Sequence, residues 1–397
     1  MAFTANMFSF LQKLASNIQH VEDAAIERAI SRVLRKRTHY GFTGHPHVKA
    51  FENELSKKLG WAPVIGTNSG TDALILSLKI LGIGPGDEVI VPAFSFISTA
   101  SCISWIGAKP VFVDIREDDF SCDPIEIKKN ISLKTKAIIV AHLFGHPAGG
   151  LEEIVKIAKL YQIPVIEDAA QSFGAEMQIN GAWKLVGTIG DIGCLSFSST
   201  KPFSAPGNGG AIVFNTHRDL FEVADAMRLY GAKKHYFDYP FVGINIKLQE
   251  IQAAALLAKL PFMDYWLNHR KKLAERYTAY LSSMKNLILP KEFQDSQRIW
   301  YRYVIRTDSR DQLFNHLTRN TQPNQLIQPS KNYPVPLPYF DAFKDLGHRK
   351  GDFPIADAVS SEVLSLPITN FVTSTDVDRI CELIGQFGNH AASNSVK

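Results

Sequence analysis

Asp168 directly follows an apolar, strand-like run, in the segment IEDAAQSFG. A carboxylate at the end of a buried strand costs free energy unless a partner compensates its charge. Asp168 therefore either meets a cationic group of a ligand or caps the helix that follows it. Ligands of open parallel sheets bind beyond the carboxyl ends of the strands, which makes this position a candidate site.

Lys201 follows a second apolar run, in the segment GCLSFSSTKPFSAPGNGGA. A lysine at such a junction is usually a surface residue. Here hydroxyl side chains precede the lysine and glycines 207, 209 and 210 follow it, a composition that suits an anion site. A lysine amine near a buried carboxylate can also form a Schiff base with a carbonyl compound.

A third segment, TNSGTDALILSL, opens an apolar helix with Ser69, Gly70 and Thr71. Free N–H groups and the dipole at a helix start favour a phosphate, although a hydroxyl here also serves as a simple N-cap. The nearby GIGPGD misses the G-x-G-x-x-G spacing and precedes a strand, which argues against a nicotinamide site. Together, the three segments offer a phosphate-binding helix start, a carboxylate for a ring nitrogen and a lysine for an aldehyde. Pyridoxal 5′-phosphate needs these three groups.

Alternating strand-like and helix-like runs separate the three segments along the chain. Continuous apolar strands divided by helices predict an α/β fold with a mostly parallel sheet covered on both faces. The strand-like runs are 87–96, 109–115, 136–144, 163–167, 195–197 and 211–214, and the helix-like runs are 71–81, 97–107 and 151–161.

The alternation of strand-like and helix-like runs stops towards both ends of the sequence. Residues 1–40 form a predicted helical arm, with an apolar face of Ile26, Ala29, Ile30 and Val33. From about residue 249 the pattern predicts one long helix, or two divided at Pro261, and then a half-buried strand over 300–308. We therefore predict a large ligand-binding domain over 41–265 and a smaller C-terminal α+β domain over 266–397.

Composition excludes several classes of protein. The 397 residues carry 43 basic and 39 acidic side chains, a net charge of +4 that requires no nucleic-acid partner, and no run of about 18 apolar residues indicates a membrane span. The four cysteines form no C-x-x-C pair, and His45 and His47 alone are a weak metal signal, so we expect no metal. The first residues lack the features of a signal peptide, which favours a cytoplasmic protein.

Nine segments of the chain occur together and in this order in one known family. The sequence resembles the sugar aminotransferases of the DegT/DnrJ/StrS family, which are pyridoxal-phosphate enzymes of fold type I, the aspartate aminotransferase-like fold. The match extends from about Gly44 to Ile384. The segments are SGTDAL, LGIGPGDEVIVPAFSFISTA, GAKPVFVDI, TKAIIVAHLFG, VIEDAAQSFGAE, GDIGCLSFSSTK, GNGGAIV, GINIKLQEIQAA and VLSLPI.

The resemblance implies a role for each residue around the cofactor ring. Lys201 would carry the cofactor as a Schiff base and then transfer the proton in catalysis. Asp168 would pair with the pyridinium nitrogen, Gln171 would lie near the phenolic oxygen, and Phe96 would stack on the ring face.

The resemblance also implies how the cofactor phosphate is held. Gly70, Thr71 and Ser196 would bind it from the same chain. Asn245 would reach it from the neighbouring subunit, so that the active sites would be shared within a homodimer.

Four positions depart from the usual pattern of the family. By the resemblance, they lie near the cofactor loop or the sugar pocket and would affect which sugar binds. A dehydratase branch of the family carries histidine in place of the Schiff-base lysine, and this chain keeps Lys201. The departures are His146 for glutamine, Pro202 for asparagine, Asn208 for an acidic residue and Asn332 for histidine.

The resemblance implies an aminotransferase that moves an amino group from an amino acid, L-glutamate being the expected donor, to a nucleotide-linked keto-sugar in deoxyamino-sugar biosynthesis. A cyclitol ketone or a free sugar phosphate is an alternative acceptor. Two alternatives outside this class are a regulator that binds pyridoxal phosphate without turnover and a scaffold protein that has lost catalysis. A regulator of transcription needs a DNA-binding module, and the first 40 residues contain no recognisable one.

Overall fold

A seven-stranded sheet forms the centre of the computed structural model, which describes residues 2–36, 45–232, 237–321 and 327–394, with side chains from 18 to 388. The strands found in these residues are β1 (Val64–Thr67), β2 (Glu88–Pro92), β3 (Lys109–Val113), β4 (Thr135–Ala141), β5 (Val165–Asp168), β6 (Glu176–Ile179), β7 (Ala182–Leu185), β8 (Ile192–Ser196), β9 (Gly210–Phe214), β10 (Ser296–Gln297), β11 (Tyr303–Arg306) and β12 (Val363–Leu366).

The central sheet has the order β1-β9-β8-β5-β4-β2-β3. Its neighbouring strands are parallel except where β9 pairs antiparallel with β1 and β8. The prediction of a mostly parallel sheet is confirmed. Because β5 and β8 are parallel neighbours with Asp168 opposite Cys194, the residues that follow these two strands emerge at the same edge of the sheet.

Helices cover the sheet, and α3 packs against β8 and β9 beside the candidate residues. The helices of the described residues are α1 (Ala2–Arg35), α2 (Pro46–Lys58), α3 (Gly70–Ile80), α4 (Ser98–Trp105), α5 (Pro124–Asn130), α6 (Leu151–Tyr161), α7 (Phe221–Met227), α8 (Glu250–Lys259), α9 (Met263–Leu281), α10 (Arg310–Thr321), α11 (Pro354–Glu362) and α12 (Ser374–Asn394).

The two ends of the chain pack differently. Helix α1, within the predicted arm, lies along α8, and residues 37–40 of that arm lie outside the described part. The predicted break at Pro261 is confirmed, because a short 3₁₀ turn, Leu260–Phe262, separates α8 from α9. Residues between 273 and 384 form a core of their own around the β11–β12 pair. The proposed domain boundary near residue 265 stays a prediction.

The described residues contain neither a membrane-spanning helix nor a metal-binding cluster. Among them, no helix is long and apolar enough to cross a membrane. They also contain no cluster of three or more histidine, cysteine or acidic side chains arranged to hold a metal ion.

Candidate active site

Asp168 ends β5 as a buried carboxylate that accepts one hydrogen bond at each of its two oxygens. Thr99 Oγ1 donates to its Oδ2 at 2.8 Å, and the Ala170 N–H donates to its Oδ1 at 3.2 Å. The Ser95 hydroxyl lies 2.8 Å from that of Thr99 and extends the chain of hydroxyls. No helix begins at Asp168 in the described structure, so the capping interpretation is wrong.

Both oxygens of the neighbouring carboxylate, Glu167, have hydrogen-bond partners within the protein. It accepts backbone N–H groups of the loop 187–190 at 2.6–2.7 Å and lies 2.9 Å from His142 Nε2. His142 Nδ1 accepts the Ala148 N–H at 2.9 Å, so its proton resides on Nε2 and is donated to Glu167. Glu167 therefore connects the end of β5 to the loop 187–190 and to His142.

The start of α3 offers unpaired backbone donors beside the end of β8. Ser69 caps the helix by accepting from Asp72 N, and the first helical hydrogen bond runs from Ala73 N to Ser69 O. The N–H groups of Gly70 and Thr71 come before that bond and point out of the helix start. A Cβ on Gly70 would lie 2.8 Å from Ser196 Cβ, so only glycine permits this close approach.

Lys201 lies in a turn that directly follows β8. Its backbone N–H donates to Ser198 O at 2.9 Å, and the Ala205 N–H donates to Phe197 O at 2.8 Å, which closes the loop. The Lys201 Nζ lies over the ring of Tyr301, 4.7 Å from its centroid. Tyr301 belongs to the C-terminal region, 100 residues away in sequence, and sequence reasoning did not identify it.

Gln171 and Phe96 lie around one further tyrosine. Gln171 Oε1 accepts the Phe144 N–H, and Gln171 Nε2 donates to the Tyr333 hydroxyl, both at 3.0 Å. Phe96 is half exposed and its ring lies 6.2 Å from that of Tyr333. Burial raises the pKa of Tyr333 well above its usual value, so this hydroxyl keeps its proton and can donate it to a ligand.

A cavity of about 370 Å³ opens beside Lys201. Its wall includes Tyr301 and Arg302 from the C-terminal region and Gln19 and Glu22 from α1. The helical arm therefore lines the cavity beside Lys201. Sequence reasoning missed this contact because nothing in the pattern of the arm indicates what it packs against. Of the positions that depart from the family pattern, His146 lines a separate cavity of about 240 Å³.

Asn245 lies outside the group of residues described so far, with an exposed side chain. Its backbone forms an isolated bridge with Leu229, and the next residue, Ile246, accepts a hydrogen bond from Asn68 N at 2.7 Å. Asn68 precedes α3 by two residues, so the segment that carries Asn245 is hydrogen-bonded to the residues just before α3 in the same chain.

The family follows from comparison with known sequences. A model of the DegT/DnrJ/EryC1/StrS aminotransferase family matches residues 21–385. The chain belongs to this family. It is 37% identical to a pleiotropic regulatory protein of Geobacillus stearothermophilus, over 92% of this chain and 95% of that protein. It is 33% identical to dTDP-3-amino-3,4,6-trideoxy-alpha-D-glucose transaminase of Streptomyces venezuelae, over 92% of each chain.

Solved structures of DegT-family aminotransferases have the same fold. DesV of S. venezuelae superposes with a TM-score of 0.86 at 32% identity, covering 94% of this chain and 97% of that one. NtdA of Bacillus subtilis, solved with bound pyridoxamine phosphate, gives a TM-score of 0.82 at 28% identity, covering 93% of this chain and 82% of that one. The predicted fold type I is confirmed, and this aminotransferase family is dependent on pyridoxal phosphate.

The residues present fit that cofactor. Gly70 and Thr71 offer backbone N–H groups to a phosphate at the start of α3. Gly70 lies so close to Ser196 that any side chain on residue 70 would meet it. Asp168 is an oriented buried carboxylate at the neighbouring strand end, suited to a protonated ring nitrogen. Lys201 supplies the amine that an aldehyde requires.

Proposed function

We propose that this DegT-family aminotransferase moves an amino group from L-glutamate to the ketone carbon of a nucleotide-linked keto-sugar in deoxyamino-sugar biosynthesis. The observation that carries the proposal is that a buried carboxylate and a helix start meet at the ends of the neighbouring strands β5 and β8. The loop after β8 carries Lys201, whose amine contacts Tyr301. The charges of Tyr301 and Asp168 both act on Tyr333. The transaminase of S. venezuelae, whose name specifies a dTDP-linked amino sugar, supports the acceptor class.

Pyridoxal phosphate, when bound, accepts the amino group and draws electrons from the carbon that loses or gains a proton. In our proposal Lys201 takes the proton from the α-carbon of the amino-acid donor and later gives a proton to the sugar carbon that carried the ketone. Asp168 keeps the ring nitrogen protonated, because its negative charge stabilises the adjacent cation. Thr99 holds Asp168 in place by donating to Oδ2.

The remaining residues would bind and orient. Gly70 and Thr71 would donate backbone N–H groups to the phosphate, and Ser196 would donate its hydroxyl. Gln171 would lie at the phenolic oxygen and Phe96 against the ring face. The amide of Gln171 is already oriented by the Phe144 N–H, which supports a fixed polar contact at that position.

We further propose a homodimer in which Asn245 of one subunit reaches the phosphate bound by the other. The side chain of Asn245 is exposed, as such a role requires in a single chain. Large apolar side chains are exposed along the same segment, and burial against a second copy would remove them from water. These side chains are Tyr230, Phe237, Tyr239, Val242 and Ile244.

The same proposal assigns the protein to the cytoplasm. Its four cysteines are buried and unpaired, which fits a reducing compartment.

A regulator without turnover is the competing function, because one relative carries the name of a regulatory protein. Purified protein should convert L-glutamate to 2-oxoglutarate with loss of the cofactor's aldehyde absorbance, and the Lys201→Ala variant should not. The resulting pyridoxamine form should then recover that absorbance with one of a panel of dTDP- and UDP-linked keto-sugars. Recovery with cyclitol ketones or free sugar phosphates alone would select the alternative acceptors. Absence of both half-reactions, with L-glutamate and with the keto-sugars, would contradict the proposal that the protein is an aminotransferase.

A further inference from the structure

Tyr301 is fixed from several sides although it lies outside any strand. The N–H groups of residues 299 and 302 donate to the carbonyl oxygens of Gly145 and Phe144 at 3.0 and 3.2 Å. Gly145 has φ +90°, and a Cβ there would lie 2.6 Å from the Tyr301 nitrogen. The buried Arg270 guanidinium donates to the Tyr301 carbonyl oxygen at 3.4 Å. The backbone around Tyr301 is therefore held by the 3₁₀ turn Leu143–Gly145, which follows β4, and by α9.

Two cations lie against the Tyr301 ring. Lys201 Nζ is 4.7 Å and Arg302 Cζ is 4.9 Å from its centroid. Arg302 Nη2 also donates to the Tyr301 hydroxyl at 3.5 Å, and Arg302 Nη1 donates to Ser330 Oγ at 3.1 Å. Arg302 is thus held at the wall of the cavity by its own hydrogen bonds, and Lys201 contacts the ring face of Tyr301.

The aromatic face is the contact that orients the Lys201 amine in the described structure. We propose that Tyr301 is a positioning residue for Lys201: its ring holds the lysine ammonium beside the reacting carbon whenever the lysine is not bonded to the cofactor. The proposal rests on the catalytic role of Lys201 proposed above. A cation over an aromatic face is held by the ring quadrupole without a directional hydrogen bond, so the lysine can approach and leave at little cost.

The charges around Tyr301 agree with this geometry. Burial opposes ionisation of the phenol, but the positive charges of Lys201 and Arg302 outweigh it and lower the pKa of Tyr301 to about 8. Hydrogen bonds from Thr200 and Arg302 act in the same direction. Arg270 and Tyr333 also face Tyr301, and Glu22, Asp23 and Lys259 line the same cavity from α1 and α8. The phenol of Tyr301 therefore reports on whether the lysine ammonium is in place.

The test follows the carbon-13 resonance of the Tyr301 Cζ against pH in full-length protein without cofactor, and again in its pyridoxamine phosphate form. Tyr301→Phe assigns the resonance. We expect a midpoint near pH 8 that rises by about one pH unit in Lys201→Met, because an attracting charge is lost. Lys184→Met, which removes a lysine from the exposed stretch of β7, is the matched control and should leave the midpoint unchanged. An equal midpoint in wild type and Lys201→Met overturns the proposal.

Kinetics supply the second readout. Tyr301→Leu removes the ring and should lower kcat at least tenfold with little change in the KM of L-glutamate. Tyr301→Phe keeps the ring and should retain most of the wild-type kcat. Equal losses in both variants would assign the effect to the hydroxyl and overturn the positioning role of the ring. The carbon-13 experiment needs neither substrate nor turnover, so failure of the proposed function would not be mistaken for failure of this inference.

Discussion

At the scale of single residues, the site depends on Asp168 carrying a negative charge in a fixed orientation. Its two oxygens are already used by Thr99 and by the Ala170 N–H, so the carboxylate has little freedom to turn. A ligand nitrogen at this strand end would meet a preorganised charge, and such groups contribute most where charge develops during reaction.

Asp168→Asn preserves the shape of this side chain but removes its charge. We expect kcat to fall by about 100-fold or more, given the roughly 3 kcal/mol of a preorganised electrostatic contact. Asp114→Asn is the matched control, because Asp114 is also buried and accepts the N–H groups of Ile355 and Ala356 at 2.9 Å. The control should lower the melting temperature with kcat within about twofold of wild type. Steady-state rates near wild type for Asp168→Asn would refute its role.

Sequence reasoning found the residues that follow strands and missed those that reach the site from afar. Asp168 and Lys201 are recognisable because each directly follows an apolar run. Tyr301 and Tyr333 reach the same region through contacts with Lys201 and Gln171 that span 100 and 162 residues. No local pattern encodes such pairings, because they depend on how the C-terminal region packs on the sheet.

At the scale of elements, the start of α3 is the part of the proposed phosphate site that has the least room for a larger side chain. Gly70→Ala would place a Cβ 2.8 Å from Ser196 Cβ and displace the helix start. We expect the cofactor dissociation constant to rise at least about tenfold, which corresponds to 1.4 kcal/mol. Gly84→Ala is the control, since its nearest neighbour, the Ile106 carbonyl oxygen, is 4.0 Å away. Equal cofactor retention by both variants, measured by equilibrium dialysis, would remove α3 from the phosphate site.

Helix α1 contributes a buried carboxylate to the wall of the Lys201 cavity. Burial raises the pKa of Glu22, although hydrogen bonding from Trp266 and the charge of Lys259 oppose the shift. When folding raises the pKa of a carboxyl, the folded protein loses stability as the pH rises through the pKa of that carboxyl in the folded state. Glu22→Gln should therefore melt at a higher temperature relative to wild type at pH 7 than at pH 4.

The control for Glu22 is Glu27→Gln, on the exposed face of the same helix. Its melting temperature relative to wild type should change little between the two pH values. A difference for Glu22→Gln that shrinks as pH rises would contradict the linkage argument.

The elements themselves were predicted where their apolar runs are long. The predicted helix 151–161 has the observed bounds of α6, and the other predicted helices and strands of the sheet differ by a few residues. Strand β1 was missed because only four residues, ending in Gly66-Thr67, form it. The β6–β7 hairpin was also missed, although Asn180 and Gly181, both at positive φ, are a turn signal that could have found it.

At the scale of the whole molecule, each active site of the proposed homodimer is shared by two subunits. Subunits carrying Lys201→Ala and Asn245→Asp are each expected to be inactive or poor alone, the latter because negative charge would face the phosphate. A doubly tagged heterodimer of the two variants should regain about half of wild-type activity, because one of its two sites combines an intact Lys201 with an intact Asn245. A heterodimer no more active than its parents would show that the sites are not shared.

The central claim is that Lys201 carries the cofactor, and one measurement tests it most directly. Protein loaded with pyridoxal phosphate is reduced with borohydride, digested and analysed by mass spectrometry. We expect the cofactor adduct on Lys201 alone, because that lysine lies in the loop that follows β8, and β8 pairs with the strand that ends at Asp168. An adduct on Lys184, Lys247 or any other lysine in place of Lys201 would contradict the account of the site.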